Sequence, residues 1–321
     1  MATIVTGALG CIGAWVVKNL LDAGEAVVAF DAASDTGRLR LVATGDEIAR
    51  VSLVTGDVAD VDALRGAMQG SGATRVIHLA ALQVPACRTD PIRGAQVNVL
   101  GTLAVFEAAK KERIRRVVYA SSAAVLGPPE DYPDGRADDG APTGPRTLYG
   151  AFKAANELCA RVYFESDGIS SVGLRPWAVY GPGRDFGLTS APTLAMQAAV
   201  LGHSYRIPFG GRCDLQFVDD VAKAFVASAS PERPGARVHN LRGEVVTMDD
   251  VVRAIEGALP EARGLVTHGD DQLPIAFDLD DGAFRAEVKG VPRTRLADGV
   301  RRTIDVFSRL MREGRLPPVP A

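Results

Sequence analysis

The sequence predicts an α/β protein: a doubly wound parallel sheet with a smaller C-terminal substrate-binding lobe. Three observations carry this. Over the first 174 residues, short apolar runs alternate with amphipathic stretches of helical period. A glycine-rich turn follows the first apolar run directly. Beyond residue 174 the alternation stops, and Pro- and Gly-rich segments interrupt the chain.

The elements follow in order. Strands are expected at 3–6, 26–30, 51–55, 75–79, 116–120 and 171–174. Helices are expected between them at 11–23, 61–69, 92–112 and 148–165. Strand–helix–strand alternation with right-handed crossovers gives a Rossmann sheet covered on both faces. Residues 128–145 are rich in Pro, Gly and Asp and read as a long loop, which in a compact domain is often functional. A second loop is expected at 181–193 and a helix at 194–201. A strand running into a helix covers 215–229, and helices lie near 248–259 and 296–311. Residues 1–174, rejoined by 215–240, form the sheet domain, while 175–214 and 241–321 form the lobe. Residues 317–321 are expected to fray.

Composition narrows the class. The chain has 321 residues, 47% hydrophobic and 23% charged, an ordinary globular balance. A net charge of -3 argues against nucleic acid as a partner. The one basic run, Lys110, Lys111, Arg113, Arg115 and Arg116, falls where a helix should end, where cations suit the dipole. The four cysteines, Cys11, Cys87, Cys159 and Cys213, make no CxxC pair, and no histidine stands at a metal-ligand spacing, so no metal is expected. No apolar run approaches the ~20 residues of a membrane span, and no signal peptide is evident. A soluble cytoplasmic protein is expected.

The glycine turn reads Thr6-Gly7-Ala8-Leu9-Gly10-Cys11-Ile12-Gly13. Gly7 allows the tight turn, Gly10 lets a pyrophosphate approach the backbone, and Gly13 lets the helix pack closely on the strand. The helix start offers free N–H groups to phosphates. Asp31 ends the second strand, where a carboxylate accepts both ribose hydroxyls of NAD and repels the 2′-phosphate of NADP. Its plain alternative is a cap on the next turn. Arg38 keeps NADP open as the lesser reading. After the third strand, Asp57 suits the adenine amino group and Val58 the adenine ring.

Tyr149 and Lys153 stand four apart in a helical stretch, so they share a face. A phenol has a reference pKa of ~10. A nearby ammonium and a nicotinamide charge favour its phenolate, which then removes a hydroxyl proton as hydride leaves the same carbon. Ser122, just past a later strand, is placed to hold the substrate oxygen. Alone, a Tyr-x-x-x-Lys is as well a surface pair. The glycine turn, the serine after the strand and the long loop together point to chemistry.

These pieces, with HLAA at 78–81, VNVLGT at 97–102, YASSAAVLG at 119–127, LRPWAVYGPG at 174–183 and FVDDVAKA at 217–224, cover about two-thirds of the chain in order. The sequence resembles the extended short-chain dehydrogenase/reductases of the NAD-dependent epimerase/dehydratase family. The resemblance implies Tyr149 as base, Lys153 as its activator and nicotinamide-ribose ligand, and Ser122 as partner of the substrate hydroxyl. It puts Cys11, Ile12, Leu79, Ala80, Ala81 and Pro176 at the cofactor, with Asn98 close by. It makes His78 a structural, hydrogen-bonded histidine. It also implies a homodimer built on the helices at 92–112 and 148–165.

Departures from the family pattern are informative. Dehydratases carry Asp-Glu just after the Ser/Thr position, and this chain has Ala123 and Ala124. Sugar-nucleotide enzymes of the family carry an Asn at the position of Ala178, an Arg at that of Cys213, and an Arg in the tail, where 272–276 offers none. Unless Arg184, Arg206 or Arg212 compensate, two phosphates would lack cations. A smaller carbohydrate, a sugar or sugar acid, is therefore expected as substrate, with Arg88, Arg184 and Arg212 as candidate carboxylate ligands. Dehydrogenation is expected first. Epimerisation of a sugar or UDP-hexose-type nucleotide sugar, with tightly bound NAD, is the alternative. A catalytically idle NAD sensor on the same fold is the alternative from another class.

Overall fold

The computed structural model describes residues 2–230 and 234–319. Seven parallel strands form the main sheet, in the spatial order Ala236–Asn240, Ser170–Arg175, Arg116–Ala120, Ala73–His78, Ala2–Thr6, Ala26–Asp31 and Ser52–Thr55. Strand alternation sends successive side chains to opposite faces. Thus Val5, Ile77 and Val118 join a core under helices Cys11–Asp22 and Val218–Ser228, while Ile4, Val76 and Val117 join a second core under Gly101–Lys111. The strand order reverses between Ala2–Thr6 and Ala73–His78. That switch point opens a crevice at the strands' carboxyl ends, where such sheets bind ligands.

The lobe has its own sheet, Glu244–Thr247, Arg212–Phe217 and Ala178–Tyr180, and its own core around Met196, Val251, Ile255, Val300 and Phe307. Leu215–Phe217, expected in the main sheet, pairs here instead, so the chain rejoins the first layer only at helix Val218–Ser228 and strand Ala236–Asn240. A late segment also crosses over: Phe284 of helix Gly282–Glu287 is buried in the first core.

Four local readings change. The helix expected from 194 begins at Ala191, because Pro192 sits in the first turn, where proline is tolerated. The expected helix 92–112 is Pro91–Ala95 and Gly101–Lys111 joined by the π-turn Gln96–Leu100. There the Asn98 carbonyl accepts from Asn156 Nδ2 at 2.8 Å, a side chain entering the ladder from another helix. The long loop is not structureless, since Arg136–Ala137 pairs with Asp278–Leu279. The tail is held at Pro317, whose carbonyl accepts from Gln197 at 2.8 Å, and residues 320–321 lie outside the described residues.

The basic run ends helix Gly101–Lys111 as expected: Lys110, Lys111, Arg113 and Arg115 are exposed, Lys110 pairing with Asp167 at 2.7 Å, while Arg116 is buried and donates to the Ser228 carbonyl. Among the described residues no helix is long and apolar enough to cross a membrane.

Candidate active site

Two connected cavities line the crevice. The outer one holds Asp31, Arg38, Asp57, Val58 and Ala80. The inner one holds Cys11, Ile12, Gly13, Ser122, Tyr149, Lys153, Pro176 and Arg184. Gly7, Gly10, Leu79 and Ala81 line both, so the groove is continuous.

The glycine turn is forced at two positions. Gly7 has φ +67°, and a Cβ there would stand 2.5 Å from the Ala80 nitrogen. A Cβ at Gly13 would stand 2.1 Å from the Gly7 oxygen, so only glycine lets the helix lie on the turn. Gly10 differs. A Cβ there meets only the Gly7 oxygen, at 3.2 Å, and would otherwise fill the groove. Helix Cys11–Asp22 has no side-chain cap, so its first N–H groups are left for a ligand. This open cradle on an uncapped helix fits a diphosphate. Asp31 is fixed beside it, accepting from Leu9 N at 2.9 Å and from Ala33 N at 3.1 Å. It therefore caps the next turn and faces the groove at once.

Asp57 accepts from Ala59 N at 2.9 Å and pairs with Arg93 at 3.1 Å. These hold its carboxyl below the usual range, the backbone bond more than the arginine. Asn98 does not line either cavity. Its buried amide closes on the Leu82 backbone at 2.8 and 2.9 Å and on Cys87 Sγ. It shapes the loop 80–82, where its buried amide finds its partners. His78 is buried between Thr6 at 2.7 Å and Thr102 at 3.0 Å, and burial lowers its pKa to about 3. It is neutral at physiological pH.

The catalytic candidates meet because two elements touch. Helix Leu148–Asp167 starts on the cap Thr147, which accepts from Gly150 N at 3.0 Å. A Cβ on Gly150 would stand 2.0 Å from the Ala124 oxygen, so this helix end lies directly on the turn after Ser122. Tyr149 and Ser122 thereby meet in the inner cavity. Burial raises the phenol's pKa, while Ser122 and the Arg184 charge lower it. Lys153 lies with its Nζ 5.7 Å from the Tyr149 ring centre and donates to the Ala120 carbonyl at 2.6 Å. It is 2% exposed, and burial lowers its pKa to about 8. Ala123 and Ala124 are buried against this contact.

A supporting network was not visible in the sequence. Glu157, one helical turn beyond Lys153, accepts from Ser121 at 2.5 Å and takes Arg175 bidentately at 2.8 and 2.7 Å. Arg175 also donates to the Asp139 carbonyl, and Asp139 holds His239 and the Asn240 N–H, which anchors the long loop to the sheet's last strand. Of the arginines considered for substrate, only Arg184 lines the inner cavity. Arg88, Arg206 and Arg212 are exposed elsewhere.

Fold and groove together define a class: an α/β enzyme that places a dinucleotide cradle against a Ser–Tyr–Lys set. The chain matches the profile of the NAD dependent epimerase/dehydratase family over residues 3–241. It is 32% identical over 318 residues to a UDP-glucose 4-epimerase of Mycolicibacterium smegmatis, covering 96% of this chain and 98% of that one. The solved UDP-glucose 4-epimerase of Thermus thermophilus, in complex with NAD, is 27% identical with a TM-score of 0.81, over 96% of this chain and 99% of that one. MoeE5 in complex with UDP-glucuronic acid and NAD is 27% identical with a TM-score of 0.79, over 96% and 99%. The chain belongs to the NAD-dependent epimerase/dehydratase family and is an NAD-dependent enzyme of the extended short-chain dehydrogenase/reductase class.

Proposed function

We propose that this enzyme oxidises one carbinol carbon of a sugar or sugar acid. The observation that carries this is the inner cavity: Ser122, Tyr149 and Lys153 converge there, and Arg184 is the one further cation lining it. Tyr149 takes the hydroxyl proton, Ser122 holds the same oxygen, and Lys153 supplies the charge that favours the phenolate. NAD supplies hydride acceptance and return. The uncapped N–H groups of residues 11–13 and the Gly10 face would hold its diphosphate, and Asp31 its ribose. Leu79, Ala80, Ala81 and Pro176 would line it, with Asp57 and Val58 at the adenine end. The second reading, a nucleotide-sugar 4-epimerase, is favoured by the relatives, which match the whole chain. Steady-state assays of free sugars, sugar acids and UDP-sugars with NAD separate the two. Net NADH with a free sugar or sugar acid is the expected result. Isomer conversion without net NADH would establish the epimerase instead.

The ribose role makes a sharper prediction. Arg38 is held by Asp185 through two bonds of 2.9 and 2.8 Å. Asp31→Ala is therefore expected to weaken NAD about tenfold or more, the worth of charge-assisted hydrogen bonds, without admitting NADP. Adding Asp185→Asn frees Arg38, and NADP binding then improves. Fluorescence titration of both dinucleotides measures this, and undiminished NAD affinity in Asp31→Ala would refute the role.

A cytoplasmic homodimer completes the reading. Ile92 is 72% exposed, and Leu100, Leu148, Leu158 and Val162 are also exposed. All lie on the two helical segments expected to pair, and exposed apolar side chains gathered on those two segments support an interface there. Sedimentation at micromolar concentration is expected to give twice the chain mass; a monomer would remove this part.

A further inference from the structure

Arg184 has an unusual position. It follows the strap that leaves the lobe strand Ala178–Tyr180, and that strap is tied down on both sides. Trp15 Nε1 donates to the Pro182 carbonyl at 2.9 Å, and Arg38 holds Asp185. The guanidinium itself is clamped: Nη1 donates to Gln83 at 3.3 Å and Nη2 to Thr189 at 3.0 Å. Gly187, at φ +99°, lets the clamp close, since a Cβ there would stand 2.0 Å from Gln83 Oε1. Among the described residues Arg184 makes no ion pair, because the adjacent Asp185 is taken by Arg38. Its Nε is buried with no hydrogen-bond partner. The Nη groups are held only by the neutral oxygens of Gln83 and Thr189, so the charge is left for an anionic ligand, with which arginine makes its strongest hydrogen bonds.

The inner cavity has no carboxylate among its lining residues, so nothing there neutralises this charge. Lys153 is turned to the Ala120 carbonyl. Arg184 is near enough to the reacting group that its charge lowers the pKa of Tyr149, and near enough to the glycine turn to act likewise on Cys11.

We propose that Arg184 is an oxyanion site of the inner cavity that takes a carboxylate carried by the substrate. This deepens the carbohydrate reading above and rests on it: among sugars and sugar acids it selects the acids. The cofactor's diphosphate is the other source of the same anionic oxygens, since the glycine turn lies beside the same guanidinium.

The test uses the full-length enzyme with NADH bound, wild type and Arg184→Gln, with sodium glucuronate and glucose as matched probes. Thermal shift reads ligand binding, and fluorescence titration reads the NADH dissociation constant. Wild type is expected to be stabilised by glucuronate and far less by glucose. Arg184→Gln is expected to lose roughly 10–100-fold in glucuronate affinity, the range of a charge-assisted hydrogen bond, with NADH affinity within about twofold. Arg184→Lys, which keeps the charge without the fork, is expected to recover part of it. Loss of NADH affinity with an unchanged glucuronate response would assign the site to the diphosphate and overturn the carboxylate. Equal responses to the two probes in wild type would also overturn it, as would no change in either ligand on substitution. These binding readouts do not depend on turnover. A failure of the hydride-transfer reading would instead appear as no NADH from any carbohydrate.

Discussion

Tyr149→Phe is expected to lower kcat by about 10²–10⁴-fold, the usual worth of a positioned acid–base group, or about 3–5.5 kcal/mol of barrier. NAD affinity is expected to change little, because the ring remains in the cavity and only its hydroxyl is lost. Single-turnover NADH formation, with NAD binding measured in parallel, checks both. Full activity would refute the base assignment, whereas an idle NAD sensor would bind NAD with no turnover in wild type and variant alike. The pH profile adds a sign. Tyr149 is raised by burial, so the reaction speeds up as pH climbs toward the phenol. Lys153 loses its charge above about 8, so the rise is cancelled there and the profile's alkaline limb is flat. Lys153→Arg holds its charge throughout and is expected to move the alkaline limb upward.

Lys153 also couples catalysis to stability. Its folded pKa of about 8 lies below the ordinary 10.5, so between these values the unfolded chain binds the extra proton. Unfolding free energy therefore rises with pH across that window. The buried ammonium is a destabilising charge below about 8, kept at the centre of the groove.

What was legible in the sequence was local. Gly7, Gly10 and Gly13 are spaced by one turn, Asp31 ends a strand, and Tyr149 and Lys153 share a helical face. Each of these is a relation between near neighbours, so its chemistry can be read from spacing. His78 was legible through the family resemblance, and its buried bonds to Thr6 and Thr102 fit that reading. For Asn98 the sequence shows proximity to a groove but not where its amide turns, which is onto Leu82. The unread features join distant segments. Glu157 and Arg175 meet only because the helix Leu148–Asp167 lies over strand Ser170–Arg175, and Asp139 reaches them from the long loop. Arg38 and Asp185 are 147 residues apart. Charge pairs of this kind have no periodicity to betray them. The same limit applied to the arginines. Four stood as candidates by type, and only the strap's path decided that Arg184 faces the cavity.

Glu157→Gln is expected to show that this hidden network acts on Lys153, the activator proposed for Tyr149. The pair with Arg175 is buried, at 9% and 4% side-chain exposure, and bidentate. Removing the charge leaves Arg175 uncompensated, and breaking such a pair costs about 3–5 kcal/mol. For a chain of this length that is a fall in Tm of about 5–7 °C. A purely structural role would end there. But the Glu157 charge also raises the pKa of Lys153, against the burial that lowers it. Without it the ammonium is less favoured, so the alkaline limb of kcat/KM is expected to move to lower pH. The Ser121 hydroxyl beside Ser122 then donates to an amide oxygen in place of a carboxylate. The measurement is a pH profile taken at a temperature where the variant is fully folded. A lower Tm with an unmoved limb would leave Glu157 a structural residue. A shifted limb makes it a positioning residue that holds Lys153 charged for Tyr149.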